Sequence, residues 1–217
     1  MLQGVIFDHD GTLVDSERKH YQLWADLLSE FGVDFSEQIY RDHLAGIPTT
    51  ASAEYLTTHY SLPITAQALY EKRERANTVA LSEQACPLIA GALALVQWVH
   101  SRNLAMAIAT GAPEREVEPT LVQHGLGDYF PIVASRDKVE RPKPAPDVYQ
   151  HALTQMQLKA AQCIAIEDSA TGLQSALACG LECIVVRNDY SRGHNFAGAS
   201  AVFEHMDEVK NYLAQRL

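Results

Sequence analysis

Four short segments of this 217-residue chain carry groups that can do chemistry together. Asp8 and Asp10 flank His9 at the end of the apolar run Val5-Ile6-Phe7, and Gly11 and Thr12 follow. Thr110-Gly111 closes the apolar run from Ala105 to Ala109. Lys143 stands within Arg141-Pro142-Lys143-Pro144-Ala145-Pro146-Asp147, and Glu167-Asp168-Ser169 follows Cys163-Ile164-Ala165-Ile166. Residues i and i+2 of a strand share a face, so Asp8 and Asp10 can point into one space if the extended conformation persists that far. Two carboxylates held that close repel unless a cation, a proton or hydrogen bonds intervene. The pair therefore points to metal or proton-transfer chemistry, with a solvated Asp-Gly turn as the bland alternative. Each other segment has a bland reading too. Lys143 suits a stiff proline-rich connector, Thr110-Gly111 a plain strand exit, and Glu167-Asp168-Ser169 a capped helix start.

The elements around these segments decide between the readings. Short apolar runs at 5–7, 105–109, 132–134, 163–166 and 183–186 read as strands, and helical periodicity fills the gaps from 91 onward. The helices run over about 93–100, 114–124, from Pro146, and over 170–179. Such alternation predicts an α/β fold with a doubly wound parallel sheet, whose strands are continuously apolar because helices cover both faces. After the first strand, His20, Leu23, Trp24, Leu27, Leu28 and Phe31 recur at helical spacing up to Gly32. Residues from about 36 to 82 read as wholly helical, with turns at Gly46-Ile47-Pro48 and Ser61-Leu62-Pro63. This predicts an inserted helical cap over 16–85 and a Rossmann-like core over 1–15 and 86–217, hinged near Val14–Glu17 and Gln84–Gly91. Ligands of open α/β sheets bind outside the carboxyl ends of the strands. Carboxylates, a hydroxyl with a glycine amide, a cation and further carboxylates all converge there. That convergence overrides the bland readings.

Composition narrows the function classes. Seventeen basic against 27 acidic residues give a net charge of -10, which repels a nucleic-acid backbone. A small phosphorylated partner remains compatible, because one local cation reverses the field within a site. No apolar run reaches the roughly 18 residues that span a bilayer, so no membrane role is expected. The N-terminus lacks a basic segment with a signal-type apolar core, which predicts a cytoplasmic protein. Cys86, Cys163, Cys179 and Cys183 form no C-x-x-C pair and read as free thiols.

The four segments resemble the motifs of the haloacid dehalogenase-like hydrolase superfamily, and within it the β-phosphoglucomutase-like phosphatases with a helical cap. Asp8 to Thr12 match D-x-D-G-T/V, Thr110 the Ser/Thr after an apolar strand, Lys143 to Asp147 K-P-x-P-D, and Glu167 to Gly172 E-D-S-x-x-G. The resemblance covers nearly the whole chain. It implies Asp8 as nucleophile toward phosphorus and Asp10 as general acid, then base. It implies Mg²⁺ held by Asp8, the Asp10 carbonyl and Asp168, with Glu167 acting through a water. Thr110 and the Gly111 amide would hold the phosphoryl oxygens while Lys143 neutralises charge.

The resemblance also frames the reaction. Dehalogenases lack the second aspartate, so Asp10 argues against that branch. In the mutase branch a cap arginine follows the cap-loop glycine by three residues, whereas here Thr49 follows Gly46. Lys72, Arg73 or Arg75 could compensate, and Arg75 is taken with Gly46 and His20 as substrate-binding. Hydrolysis of a sugar phosphate is the expected activity. A phosphosugar mutase and a silent phosphometabolite sensor are the alternatives. A monomer is expected. His9 is read as structural and turned away from the carboxylates, and Trp24 and Trp98 as packing residues.

Overall fold

The computed structural model describes residues 1–217. Six strands form one parallel sheet: β1 (Gly4–Phe7), β2 (Ala105–Ala109), β3 (Val133–Ala134), β4 (Cys163–Glu167), β5 (Glu182–Val186) and β6 (Ala201–Phe203). Their spatial order is β3-β2-β1-β4-β5-β6. The chain thus builds one half of the sheet outward from β1, then crosses over and builds the other half from β4. The order reverses between β1 and β4, where a crevice opens at the carboxyl ends of a doubly wound sheet.

Alternation along the apolar strands feeds two separate cores. Val5, Phe7, Met106, Ile108, Ile164 and Ile166 pack on one face against α5 (Ala92–Ser101) and α9 (Met206–Ala214). Ile6, Ala107, Ala109, Ala165, Cys183 and Val185 pack on the other against α7 (Asp147–Met156) and α8 (Ala170–Ala178). Each fully buried Ile, Leu or Phe contributes roughly 1.5–3 kcal/mol, so the two faces hold the sheet without covalent help. All four cysteines are free, and Cys163 and Cys183 serve as core residues. Trp98 is half-buried at the margin of the first core, under the Arg102 guanidinium.

Between β1 and α5 the chain forms α1 (Glu17–Ser29), α2 (Glu37–His43), α3 (Thr49–His59) and α4 (Ala66–Glu83). These helices share a core of their own, with Trp24, Leu28, Leu44, Leu56 and Leu69 at 2% exposure or less. Ser36 and Thr65 cap α2 and α4 by accepting from the Ile39 and Ala68 amides. Entry and exit of the helical block lie side by side: Val14 bridges Leu88, and the Asp15 amide donates to the Pro87 carbonyl. No helix is long and apolar enough to cross a membrane. Between β2 and β3 lies α6 (Glu114–Gln123). The sequence reading did not include β6 or α9. The first is three residues long and half-exposed, whereas α9 carries Met206, Val209 and Leu213 at a legible helical spacing.

Candidate active site

β1 ends at Phe7, one residue before the first aspartate. The following turn is tied by the Leu13 and Val14 amides, which both donate to the His9 carbonyl, and by the Gly11 amide, which donates to Val14. Gly11 has a φ of +82°, and a Cβ there would lie 2.1 Å from Asp168 Oδ2. Only glycine lets the β1 turn pass this close to the carboxylate at the end of β4. Gly172 plays the same part in α8, where a Cβ would meet Glu167 Oε2 at 1.9 Å. Ser169 caps that helix by accepting from the Gly172 amide, as a capped helix start requires, and the same segment brings Glu167 and Asp168 to the end of β4.

Asp8, Glu167 and Asp168 come together across the switch point, with one oxygen from each lying within 4.8 Å of the others. Lys143 is buried among them. Its ammonium donates to Asp8 Oδ1 at 2.7 Å, Glu167 Oε1 at 2.6 Å and the Ala109 carbonyl at 2.9 Å. All three of its hydrogens are spent. Tyr149 also donates to Glu167 Oε1, at 2.6 Å. One lysine cannot balance three buried carboxylates. Burial, together with the like charges of Glu167 and Asp10, outweighs Lys143 and pushes the Asp8 carboxyl up to about 7. Burial and the charges of Asp8 and Glu167 hold Asp168 well above the usual carboxylate range. Such a set of hard oxygen donors with unbalanced negative charge fits a divalent cation. The Asp10 carbonyl accepts no backbone hydrogen bond and is free to join them. Glu167 lies behind the others, fully buried and engaged by Lys143 and Tyr149.

The Asp10 side chain lies between two imidazoles. His9 Nδ1 is 3.2 Å from Asp10 Oδ2, and His20 Nε2 is 3.7 Å from Asp10 Oδ1. Burial alone would raise the Asp10 carboxyl. The charge of His9, the nearby His20 imidazole and the His9 hydrogen bond outweigh it and hold that carboxyl well below its ordinary range. The expectation that His9 turns away is overturned. Strand alternation stops at Phe7, and the turn swings the ring onto Asp10 while its Nε2 meets Thr120 Oγ1 at 3.0 Å. His20 Nδ1 lies 2.5 Å from an Arg73 nitrogen. A guanidinium can only donate, so Nδ1 accepts and the ring proton sits on Nε2, toward Asp10.

A cavity of about 310 Å³ opens over these groups. Asp8, Asp10, Thr110, Gly111, Lys143 and Asp168 form its floor, and His20, Gly46 and Thr49 reach it from the helical block. Thr110 is buried and its Oγ1 accepts from the Ala112 amide at 3.0 Å, while the Gly111 amide donates to no group of the chain. Arg75 is a correction: it is exposed and does not line the cavity. Its helix instead buries Leu69, Arg73, Asn77 and Leu81, a spacing of four that turns residue 75 about 200° away from Arg73. Arg73 donates to Glu74 at 3.0 Å and stands at the cavity wall.

Other residues at the site carried no motif. Asn188 donates to Asp168 Oδ2 at 2.7 Å and steadies it. Glu17, buried, accepts from the Tyr40 hydroxyl at 2.5 Å. Arg136, Glu74 and Glu116 also line the cavity. The signal for Arg73 was its helical register with Leu69 and Leu81. Asn188 and Glu116 had none, because only tertiary packing brings them here.

The profile of the haloacid dehalogenase-like hydrolases matches residues 5–186. The chain is 33% identical over 186 residues to the fructose-1-phosphate phosphatase YqaB of Escherichia coli, covering 85% of this chain and 96% of that one. It is 32% identical over 209 residues to the protein CbbY of Rhodobacter capsulatus, covering 91% of each. A crystal structure of CbbY from Rhodobacter sphaeroides in complex with xylulose-(1,5)bisphosphate superposes with a TM-score of 0.82 at 26% identity, over 96% of each chain.

Proposed function

We propose that this chain, which belongs to the haloacid dehalogenase-like hydrolases and is a phosphoric monoester hydrolase, releases phosphate from a small sugar phosphate through a phosphoryl group carried on Asp8. The observation that carries the reading is the Lys143 ammonium, buried between Asp8 and Glu167 on the floor of the cavity. A fixed cation beside a carboxylate nucleophile both aims it and neutralises the charge of an incoming phosphoryl group. Phosphoryl transfer asks mainly for that alignment and charge stabilisation.

In this mechanism an Asp8 oxygen attacks phosphorus in line with the leaving group. Thr110 Oγ1 and the Gly111 amide hold the phosphoryl oxygens in place, and the fixed charge of Lys143 beside Asp8 offsets theirs. Asp10 gives its proton to the leaving alkoxide. For this acid half it must first take up a proton, for which the His9 ring 3.2 Å away is the nearest source. His9 and His20 hold its carboxyl low, so it rests ionised as the second half requires. There Asp10 takes a proton from a water that attacks the phosphorus of the Asp8 acyl phosphate, and Asp8 is regenerated with release of phosphate. Asp8, Asp168 and the Asp10 carbonyl would hold Mg²⁺, which supplies charge stabilisation to the transferring group when bound. Residues 16–85 serve as the cap that excludes bulk water over the floor.

A phosphosugar mutase must hold a second phosphate with a free cap cation. Thr49 stands where the mutase branch has arginine, and Arg73 is engaged by Glu74 and His20. Hydrolysis is therefore the better reading. Phosphate release from a panel of sugar phosphates, with and without Mg²⁺, tests it. Release should require the ion, whereas bisphosphate-dependent isomerisation without net release would replace hydrolysis with mutase chemistry.

A further inference from the structure

Glu116 is not used by the mechanism, yet it lines the reaction cavity. It sits in the first turn of α6, directly after the phosphate-holding loop, with its side chain only 10% exposed. Neither oxygen accepts a hydrogen bond from the protein, and the one cation within 4 Å is the half-exposed Arg115, at 3.8 Å. Burial pushes its carboxyl up from the ordinary value, against the pull of Arg73. The Glu116 oxygens open onto the cavity with no donor from the chain, and a carboxylate so placed at a ligand wall gains one when the ligand arrives.

The surrounding wall says which donor. Arg73 is paired with Glu74, Arg115 donates to Glu74 at 2.8 Å, and Arg136 lies 4.0 Å from the same carboxylate. These three arginines share one carboxylate, and Glu116 sets a second negative charge beside them, so this wall carries both signs. Thr49, Thr50 and Ser52 add hydroxyls to the cavity lining. A second phosphate or a carboxylate on the substrate would meet Glu116 head-on. An ammonium would meet Arg73 and Arg136. A neutral hydroxyl donates to Glu116 and accepts from the arginines, and suits both.

Resting on the phosphatase reading above, we propose that Glu116 is the specificity-determining residue that accepts a hydroxyl of the leaving group, selecting neutral polyhydroxylated monophosphates and rejecting bisphosphates and phosphocarboxylates. This goes beyond the motifs, since an acidic residue at this place belongs to none of them.

The test compares wild type with Glu116→Gln on a ketohexose monophosphate, the bisphosphate of the same sugar, and p-nitrophenyl phosphate, whose leaving group carries no hydroxyl to donate. Wild type should prefer the monophosphate over the bisphosphate. Glu116→Gln should lose about 10- to 100-fold in kcat/KM on the monophosphate, mainly through KM, while the preference over the bisphosphate collapses. Glu116→Asp, which keeps the charge and shortens its reach, should fall between the two. A wild type that favours the bisphosphate overturns the inference. So does an unchanged monophosphate-to-bisphosphate ratio in a Glu116→Gln enzyme that still turns over p-nitrophenyl phosphate. Both results leave the phosphatase reading intact. No release by wild type from any of the three overturns both.

Discussion

The Lys143 ammonium lies 2.7 Å from Asp8 Oδ1 across 135 residues of sequence. The carboxyl end of β1 and the loop after β3 meet there at the point where the sheet reverses its strand order. The contact joins fold to chemistry, because the same ammonium also reaches Glu167 at the end of β4. Asp8 and Glu167 raise the Lys143 pKa despite its burial, so the ammonium among the carboxylates stays charged.

Removing that charge leaves two buried carboxylates uncompensated. Lys143→Met should cost about 3–5 kcal/mol in urea unfolding, the usual loss when one partner of a buried ion pair is deleted. Phosphate release should fall by at least about 100-fold. Activity within a few-fold of wild type would show that Lys143 only ties the loop down.

Gly11→Ala tests the close approach of the β1 turn to Asp168. The added methyl would fall 2.1 Å from Asp168 Oδ2 at a φ of +82° that alanine resists. Displacing Asp168 should raise the Mg²⁺ concentration for half-maximal activity by about 10- to 100-fold. Titration calorimetry giving a wild-type Mg²⁺ affinity would exclude this geometry.

The unbalanced carboxylates set a pH dependence. In the absence of a divalent ion Asp8 is pushed up to about 7 and Asp168 well above its ordinary range. In the unfolded chain both titrate near about 4. Between about pH 4 and 7 the folded protein therefore binds more protons than the unfolded one, and stability falls as pH rises through that window. Asp10, held low, has finished titrating below it. Melting in EDTA should show a lower Tm at about pH 7.5 than at about pH 5, and Mg²⁺ should raise Tm more at the higher pH. An Mg²⁺ effect that is larger at the acidic end would contradict the assignment of these carboxylates as the ligands.

Two arginines separated by one residue should behave differently. Arg73 is 3% exposed and contacts His20, whereas Arg75 is exposed. Arg75→Ala should leave kcat/KM within about twofold, as surface substitutions do. Arg73→Ala should lower it by about tenfold or more, since it removes the donor that fixes the His20 tautomer. Equal effects in steady-state kinetics would undo this distinction.

The contrast between these arginines marks what the sequence makes legible. Asp8, Thr110 and Glu167 could be placed because each ends a short apolar run, and a doubly wound sheet gathers strand ends at one edge. Arg73 required knowing which face of α4 is buried, and only Leu69, Asn77 and Leu81 around it reveal that face. His9 was misplaced because two-residue alternation holds only inside a strand, and β1 stops at Phe7. Glu116 and Asn188 reach the site through helix and loop packing that no local pattern encodes.

The central claim is that Asp8 carries the phosphoryl group, and acid quench during turnover reads it directly. With sugar phosphate and Mg²⁺, mass spectrometry of the quenched wild-type protein should find a phosphoryl group on the peptide containing Asp8. Asp8→Asn should show neither that adduct nor phosphate release. Steady phosphate release by Asp8→Asn, with no adduct on wild-type Asp8 at any quench time, would contradict the account.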